Sequence, residues 1–169
     1  MEALIRKILI PTDFSESAAR GVAYGAALAR RLGASLHLVH VIEAEALASG
    51  AFEADTSESR APGTRRYQEA RHTLAAEADR LNGARGRPLS ISTEVRGGVP
   101  AKAISDAIIE FGADIVVMAT HGRTGLSHLL MGSVAEQVIR LSRSPVLIVR
   151  ECGQAHVHRP GRVETAQVV

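Results

Sequence analysis

Cysteine is nearly absent. Cys152 stands alone among 169 residues, so no intrachain disulfide can form and stability must come from a packed core. A lone thiol fits a reducing compartment, and the cytoplasm is the expected location. Tryptophan is missing and aromatic residues make up 3% of the chain. Single-stranded nucleic acids are held on aromatic platforms set among basic residues, a combination not found here. The arginines between Arg60 and Arg96 therefore read as a solvated face, and a net charge of +2 provides no large field to recruit nucleic acid. No apolar run approaches the ~20 residues of a membrane helix. The start, MEALIRKILIPTD, passes straight into a strand without the cationic-then-apolar pattern of a signal peptide. No nucleic acid and no membrane is expected as a partner.

Metal sites and familiar phosphate loops are also missing. His37 and His40 lie three apart on a strand, so they face opposite sides and cannot share an ion. His156 and His158 lie in the C-terminal segment, where only adventitious metal binding is expected, and no metal ligand set is assigned. No glycine-rich stretch ends in Gly-Lys-Ser or Gly-Lys-Thr, which excludes a Walker A loop.

What is present is a regular alternation of strand and helix. Lys7 to Ile10 form a short apolar strand closed by Pro11, Thr12 and Asp13, and Ser15 is a good N-cap for the next segment. Val22, Ala26, Ala29 and Leu32 recur at helical spacing up to Gly33, and Leu36 to Ile42 make a second strand. This is a βαβ unit with parallel strands. Glu43 to Thr64 loses periodicity and is expected to be a mobile loop or lid. Tyr67, Ala70, Leu74, Ala78 and Leu81 mark a second helix ending near Gly83. Leu89 to Val95 alternates apolar and polar, as a half-exposed edge strand does. Gly97, Gly98, Val99 and Pro100 turn into a third helix with Ala103, Ile104, Ala107, Ile108 and Phe111 on its apolar face, stopped by Gly112. Ile115 to Met118 is continuously apolar, which suits a strand buried on both faces. A fourth helix starts near Ser133, Ser144 to Val149 is a fifth strand, and residues 151–169 are polar, aperiodic and expected to be a disordered tail.

Five strands alternating with four helices predict an α/β fold over residues 1–150. The expected form is a flavodoxin- or Rossmann-like doubly wound parallel sheet with helices on both faces. In the order 3-2-1-4-5 the direction of winding switches between the first and fourth strands, and ligands of such sheets bind at the carboxyl ends beside the switch. Those two strands end in PTDFS and ATHGRTG. The second of these is rich in small, polar and cationic residues, and Gly132 and Ser133 come after it at a helix start. Backbone N–H groups there can approach an anion, with the helix dipole adding to the attraction. A phosphate cradle is expected. The same order leaves SPVLIV as an apolar edge, which a two-fold dimer pairing this strand with its copy would cover.

Three segments carry a resemblance: KILIPTDFSESA, GVPAKAI and ATHGRTGLSHLLMGSVAEQVIRLSRSPVLIV. With them the chain resembles the universal stress protein family over residues 4 to 150. The nucleotide-binding branch of that family carries the pattern G-x2-G-x9-G followed by Ser or Thr. Here the last two elements fall on Gly122 and Gly132–Ser133, while Ala119 replaces the first glycine. If that glycine serves only close packing, a methyl group perturbs little; if it needs positive φ, alanine is penalised. The resemblance implies a dimeric, cytoplasmic stress-response protein that binds ATP, with or without Mg2+, and has no well-defined reaction. It implies nucleotide contacts from Pro11, Thr12, Asp13, Val41, Met118, Ala119, His121, Gly122, Arg123, Gly132, Ser133 and Val134, with no catalytic residue assigned.

Each of these has a plainer role to weigh against the ligand. Asp13 can accept hydrogen bonds from ribose hydroxyls or cap the following helix. Pro11 fixes a turn, and Val41 as a residue type says no more than core strand. Ser133 can cap the fourth helix while also donating to a phosphate. Arg123 is placed to neutralise phosphate charge, and His121 shapes the loop without a nucleophile or carboxylate nearby in sequence. No Ser-Gly-Gly loop follows the first strand, unlike adenylating pyrophosphatase-type enzymes of similar fold. Two other functions compete with a regulatory ATP-binding module. One is a slow ATPase or self-phosphorylating enzyme with Ser133 or Thr124 as acceptor, and the other is a dimeric interaction protein that lost nucleotide through Ala119.

Overall fold

A computed structural model of the chain describes residues 5–43, 62–84, 86–119 and 132–150. The apolar runs become strands β1 (Lys7–Pro11), β2 (Ser35–Glu43), β4 (Ile115–Ala119) and β5 (Val146–Val149), and the alternating segment becomes β3 (Ile91–Gly98). Between them lie α1 (Glu16–Leu32), α2 (Pro62–Gly83), α3 (Pro100–Phe111) and α4 (Ser133–Leu141). The strands form one sheet in the order β3-β2-β1-β4-β5, and every pair is parallel. The expected doubly wound fold and its strand order are what the chain adopts.

Parallel strands covered on both faces need apolar side chains on both, which is why β1 reads as an unbroken run. Ile8 and Ile10 point into a core with Val22, Ala26 and Ala29 of α1, Leu36 and Leu38 of β2, and Leu74 and Leu81 of α2. Leu9 points the other way, with Val39, Val116 and Met118, onto Ala101, Ile104 and Ala107 of α3 and Ala135 and Val138 of α4. Ile8, Leu9, Ile10, Val116 and Val117 are completely buried. Truncating any one of them to alanine would cost about 2–5 kcal/mol.

The helix boundaries follow local chemistry. The Ser15 side chain accepts from the Ala18 N–H at 3.1 Å and caps α1, and Gly33 ends it in the left-handed conformation at φ 68°. Pro100 opens α3, and Gly112 closes it at φ 65°. Two expected boundaries move. The segment read as a loop over 43–64 loses both ends to regular structure, since Glu43 belongs to β2 and α2 starts at Pro62. Residues 62–64 carry no apolar stripe, so periodicity alone begins the helix at Tyr67. β3 continues past Val95 because its ladder with β2 runs on to Glu43↔Gly98, where glycines contribute no alternation. The lid reading of residues 44–61 and the tail reading of 151–169 lie outside the described residues.

Register shapes the sheet's carboxyl end. β1 pairs with β2 from Lys7↔Ser35 to Pro11↔Val39, but with β4 only at Ile8↔Ile115 and Leu9↔Val116. Beyond Leu9 the two central strands part, while β4 stays paired with β5 up to Ala119↔Val149. The amino ends are tied instead: the Asp114 carboxylate accepts from the Arg6 and Lys7 N–H groups at 2.8 and 2.9 Å. Those bonds, led by that from Arg6, hold the Asp114 pKa below the usual carboxylate range.

Candidate functional site

β1 and β4 part at the switch in winding, the position where such sheets bind ligands. On one side stands the end of β1. Thr12 is buried and extends the β1–β2 ladder through its N–H to the Val39 carbonyl at 2.8 Å. Its own carbonyl accepts from His40 Nδ1 at 2.8 Å, which fixes the proton on that nitrogen. Asp13 Oδ1 accepts from the Ser15 N–H at 3.0 Å. Asp13 is therefore not the N-cap of α1. Ser15 holds that position, and Asp13 braces the turn leading into it.

Phe14 completes the turn with a left-handed backbone, φ 64°, the sole non-glycine residue of positive φ among the described residues. A bulky side chain in that region is strained. Its ring stacks on His40 with centroids 4.3 Å apart, and its N–H donates to Thr12 Oγ1 at 3.1 Å. The conformation aims Asp13 and Phe14 differently from a smooth strand-to-helix turn. Sequence reasoning passes over Phe14 and His40 here, because neither residue type signals a left-handed turn.

The other wall is the end of β4, with Met118 buried and Ala119 half-buried. Ala119 is the last paired residue of the strand and does not have positive φ. Alanine at this position therefore carries no backbone penalty. Close packing is the constraint instead: a Cβ on Gly21 of α1 would come 3.3 Å from the Ala119 N and 3.8 Å from its Cβ. Glycine on the helix makes room for the methyl on the strand. Gly25, one turn on, lies so near Ile10 that a Cβ there would collide with the isoleucine Cδ1. Neither α1 glycine is legible as a packing device from sequence, since nothing in the pattern says which face meets backbone.

Val41 sits near the end of β2, beyond the last β1 pairing, and packs against the core on the α3 side. At the same end of the sheet α4 begins. Its N-cap is Gly132, at φ −60° and ψ 143°, with no side-chain capping bond. Ser133 is thus the first helical residue rather than the cap that its residue type suggests. Glu136 N–H reaches the Gly132 carbonyl, which leaves the N–H groups of Ser133, Val134 and Ala135 without partners inside the helix. A helix N-terminus whose N-cap residue has no side chain to bond those groups is of the kind that suits an anion. His121, Gly122, Arg123 and Thr124 lie outside the described residues. Pro11, Thr12, Asp13, Met118 and Ala119 are brought to adjacent strand ends, with Val41, Gly132, Ser133 and Val134 at the same end of the fold.

His37, on the opposite face from His40, is fully engaged. Its ring lies 2.8 Å from Ser92 Oγ and 3.1 Å from Glu94 Oε2 and stacks on Phe111 at 4.7 Å. Glu94 accepts from Nε2–H, and the Ser92 hydroxyl beside Nδ1 also donates to the Leu36 carbonyl at 3.3 Å. Arg96 continues the array by pairing with Glu94 and Glu110, and its guanidinium lowers the Glu110 pKa. These groups tie β3 to the end of α3. Among the described residues no cluster of three or more His, Cys, Asp or Glu could hold a metal, and no helix is long and apolar enough to cross a membrane.

Known proteins share this architecture and much of the sequence. The universal stress protein MJ0531 of Methanocaldococcus jannaschii is 32% identical over 154 residues, 89% of this chain and 85% of that one. MJ0577 from the same organism is 29% identical over 163 residues, 89% of this chain and 98% of its own. The solved structure of MJ0577 superposes with a TM-score of 0.71, covering 89% of this chain and 99% of the other. A universal stress protein from Archaeoglobus fulgidus, solved in complex with dAMP, shares the fold at 24% identity and a TM-score of 0.55, over 86% of this chain and 98% of its own. The universal stress protein family model matches residues 4–150. With the sheet order, the parted central strands and these relatives in agreement, the chain belongs to the universal stress protein family.

Proposed function

We propose that this protein is an ATP-binding regulatory module, acting in the cytoplasm as a homodimer whose nucleotide occupancy alters its partners under stress. The observation that carries the reading is the separation of β1 and β4 beyond Leu9↔Val116, which leaves a crevice between Pro11–Asp13 and Met118–Ala119. Asp13 offers a carboxylate to ribose hydroxyls, and Val41 with Pro11 provides the apolar and backbone surroundings of an adenine. The N–H groups of Ser133 and Val134, with the Ser133 hydroxyl, would receive phosphate oxygens, and the family pattern implies further contacts from His121, Gly122 and Arg123. Mg2+ would enter as a counter-ion of the triphosphate. The ordinary backbone at Ala119 supports the reading, since alanine in place of the glycine brings no backbone strain.

Small-molecule analysis of the purified full chain, followed by calorimetry, tests the ligand. Released adenine nucleotide and an ATP dissociation constant below the millimolar range are expected. Failure on both counts would leave a dimeric interaction protein, and steady phosphate release lost in Gly122→Val would point to a slow ATPase. The dimer rests on β5, an edge strand whose four residues are each half-buried in the single chain. Within Ser144–Val149 the strand itself is Val146–Val149, and Pro145 has no N–H to donate to a partner strand. Light scattering at micromolar concentration should report a dimer, and a monomer would refute it.

A further inference from the structure

Main-chain pairing between β1 and β2 stops at Pro11↔Val39. The Thr12 N–H still reaches the Val39 carbonyl at 2.8 Å. In a parallel ladder, a residue that gives its N–H to one partner residue takes, with its carbonyl, the N–H two places further on. For Thr12 that donor is Val41. The bond is not made: pairing ends one residue short, and the Thr12 carbonyl accepts instead from the His40 Nδ1–H at 2.8 Å. A side chain has taken the place of a main-chain donor.

That exchange of donors fixes what Val41 presents. The N–H and C=O of one strand residue face the same neighbouring strand, and successive residues alternate. The Ser35 N–H reaches the Arg6 carbonyl, and the Val39 carbonyl accepts from Thr12, so the main chain of the odd-numbered residues of β2 faces β1. The β2–β3 register is unbroken from Leu36↔Ile91 to Glu43↔Gly98, so no bulge disturbs this alternation before Val41. Val41 is half-buried, and its main-chain groups face the side on which β1 has ended. Among the described residues neither group is paired with β1. A donor and an acceptor side by side match the edge of adenine, where N1 accepts and the N6 amino group donates.

A plainer account is a buried ring satisfied by the nearest carbonyl, since His40 is only 7% exposed. One more ladder pair would satisfy Thr12 and Val41 together with no side chain at all, and the chain does not form it. It also holds Phe14 left-handed at φ 64°, with its N–H on Thr12 Oγ1 at 3.1 Å. The Phe14 ring stacks on the His40 imidazole with centroids 4.3 Å apart, which restricts rotation of the imidazole away from Thr12. Strain at a non-glycine residue persists where its surroundings impose it, and it gathers at ligand sites.

We propose that His40 is a positioning residue of the nucleotide site: by taking the Thr12 carbonyl it stops the β1–β2 ladder and keeps the Val41 N–H and C=O open to the base. This deepens the ATP reading and rests on it for the identity of the ligand. Amide hydrogen exchange of the isotope-labelled full chain is the test. Without ligand, the Val41 amide should exchange about tenfold or more faster than that of Val39, the last residue of β2 paired with β1. Saturating ATP should slow it. In His40→Leu the released Thr12 carbonyl should capture the Val41 N–H, slowing its exchange by about tenfold or more without nucleotide. A merely structural histidine requires the reverse, because losing its contacts loosens the strand end. The same variant should bind ATP about tenfold more weakly, through lost hydrogen bonds to the base. Its preference for ATP over inosine triphosphate, whose base reverses donor and acceptor, should fall as well. His40→Asn, whose side-chain amide donates from nearly the position of Nδ1, should restore fast exchange and the preference. The wild-type comparison stands by itself if His40→Leu fails to fold. A slow Val41 amide in the ligand-free protein would overturn the proposal, and so would exchange unchanged or faster in His40→Leu. Slowed exchange in His40→Leu of a protein that binds no ATP would refute the ATP reading and uphold the role of His40.

Discussion

The two ends of the sheet gather different groups, helix N-termini at one and helix C-termini with arginines at the other. At the carboxyl end α4 begins at Gly132, which has no side chain to cap it, and β1 and β4 part beyond Leu9↔Val116. At the amino end helix carbonyls converge, and Arg30 and Arg87 sit there beside Gly86 and Gly33. Backbone donors are set by the fold and are compatible with many sequences. Guanidinium donors depend on individual residues and on the glycines that seat them. A parallel α/β protein places helix N-termini at the carboxyl end as a matter of topology, so its ligand crevice is built in. A site at the amino end has to be assembled against the helix dipoles.

The α1 and α4 starts sharpen the same contrast. Both lie at the carboxyl end, yet Ser15 and Asp13 satisfy the entry to α1, while α4 has a glycine at its N-cap, with no side chain to offer.

The strongest break in this comparison is Gly132→Val. Its φ of −60° suits any residue, so the variant should fold, losing about 1 kcal/mol at most from a poorer cap. Its side chain would occupy the phosphate position, and calorimetry should find ATP affinity reduced on the order of 100-fold or beyond detection, with the dimer retained. Unchanged affinity would place the cradle elsewhere. Gly21→Val would press α1 against the backbone of Ala119. Denaturant unfolding should register a loss of about 1–3 kcal/mol, and ATP binding should weaken as the β4 wall shifts. Ser15→Ala removes the α1 cap and should cost about 1 kcal/mol in the same assay while ATP affinity stays close to wild type. A large affinity loss would mean that the two helix starts are not divided as described.

The smallest expected effect is at the amino end. The folded-state pKa of Asp114 is depressed by its bonds to Arg6 and Lys7, so its contribution is complete above its unfolded value, near pH 4, and fades as pH falls through the folded value. Asp114→Asn should be slightly less stable than wild type at pH 7, and the gap should narrow in acid. A gap that widens on acidification would reverse the sign of this coupling.

Much of the fold is legible in local pattern. The runs ILI, LHLVHVI and IVVM can hardly be exposed, and the glycines at 33 and 112 end helices where the pattern predicts. The shift of winding between β1 and β4 follows from the crossovers, and with it the position of the crevice. Local pattern fails where side chains are absent or uninformative: α2 starts at Pro62 ahead of its apolar stripe, and β3 runs through Gly97 and Gly98. It also fails where a partner decides. Nothing near Ser133 says that Gly132 takes the capping position, and nothing near Phe14 predicts a left-handed backbone stabilised by stacking on His40.

By itself the sequence determined the elements, their order and the polar character of the strand ends, because hydrophobic periodicity and glycine stops act within a few residues. Only the tertiary structure decided that Ala119 is tolerated, that Gly21 makes its space, and that Arg6, Arg30 and Arg87 line one cavity. Those outcomes depend on distances between segments far apart in the chain, and a linear pattern carries no information about which atoms packing will bring into contact.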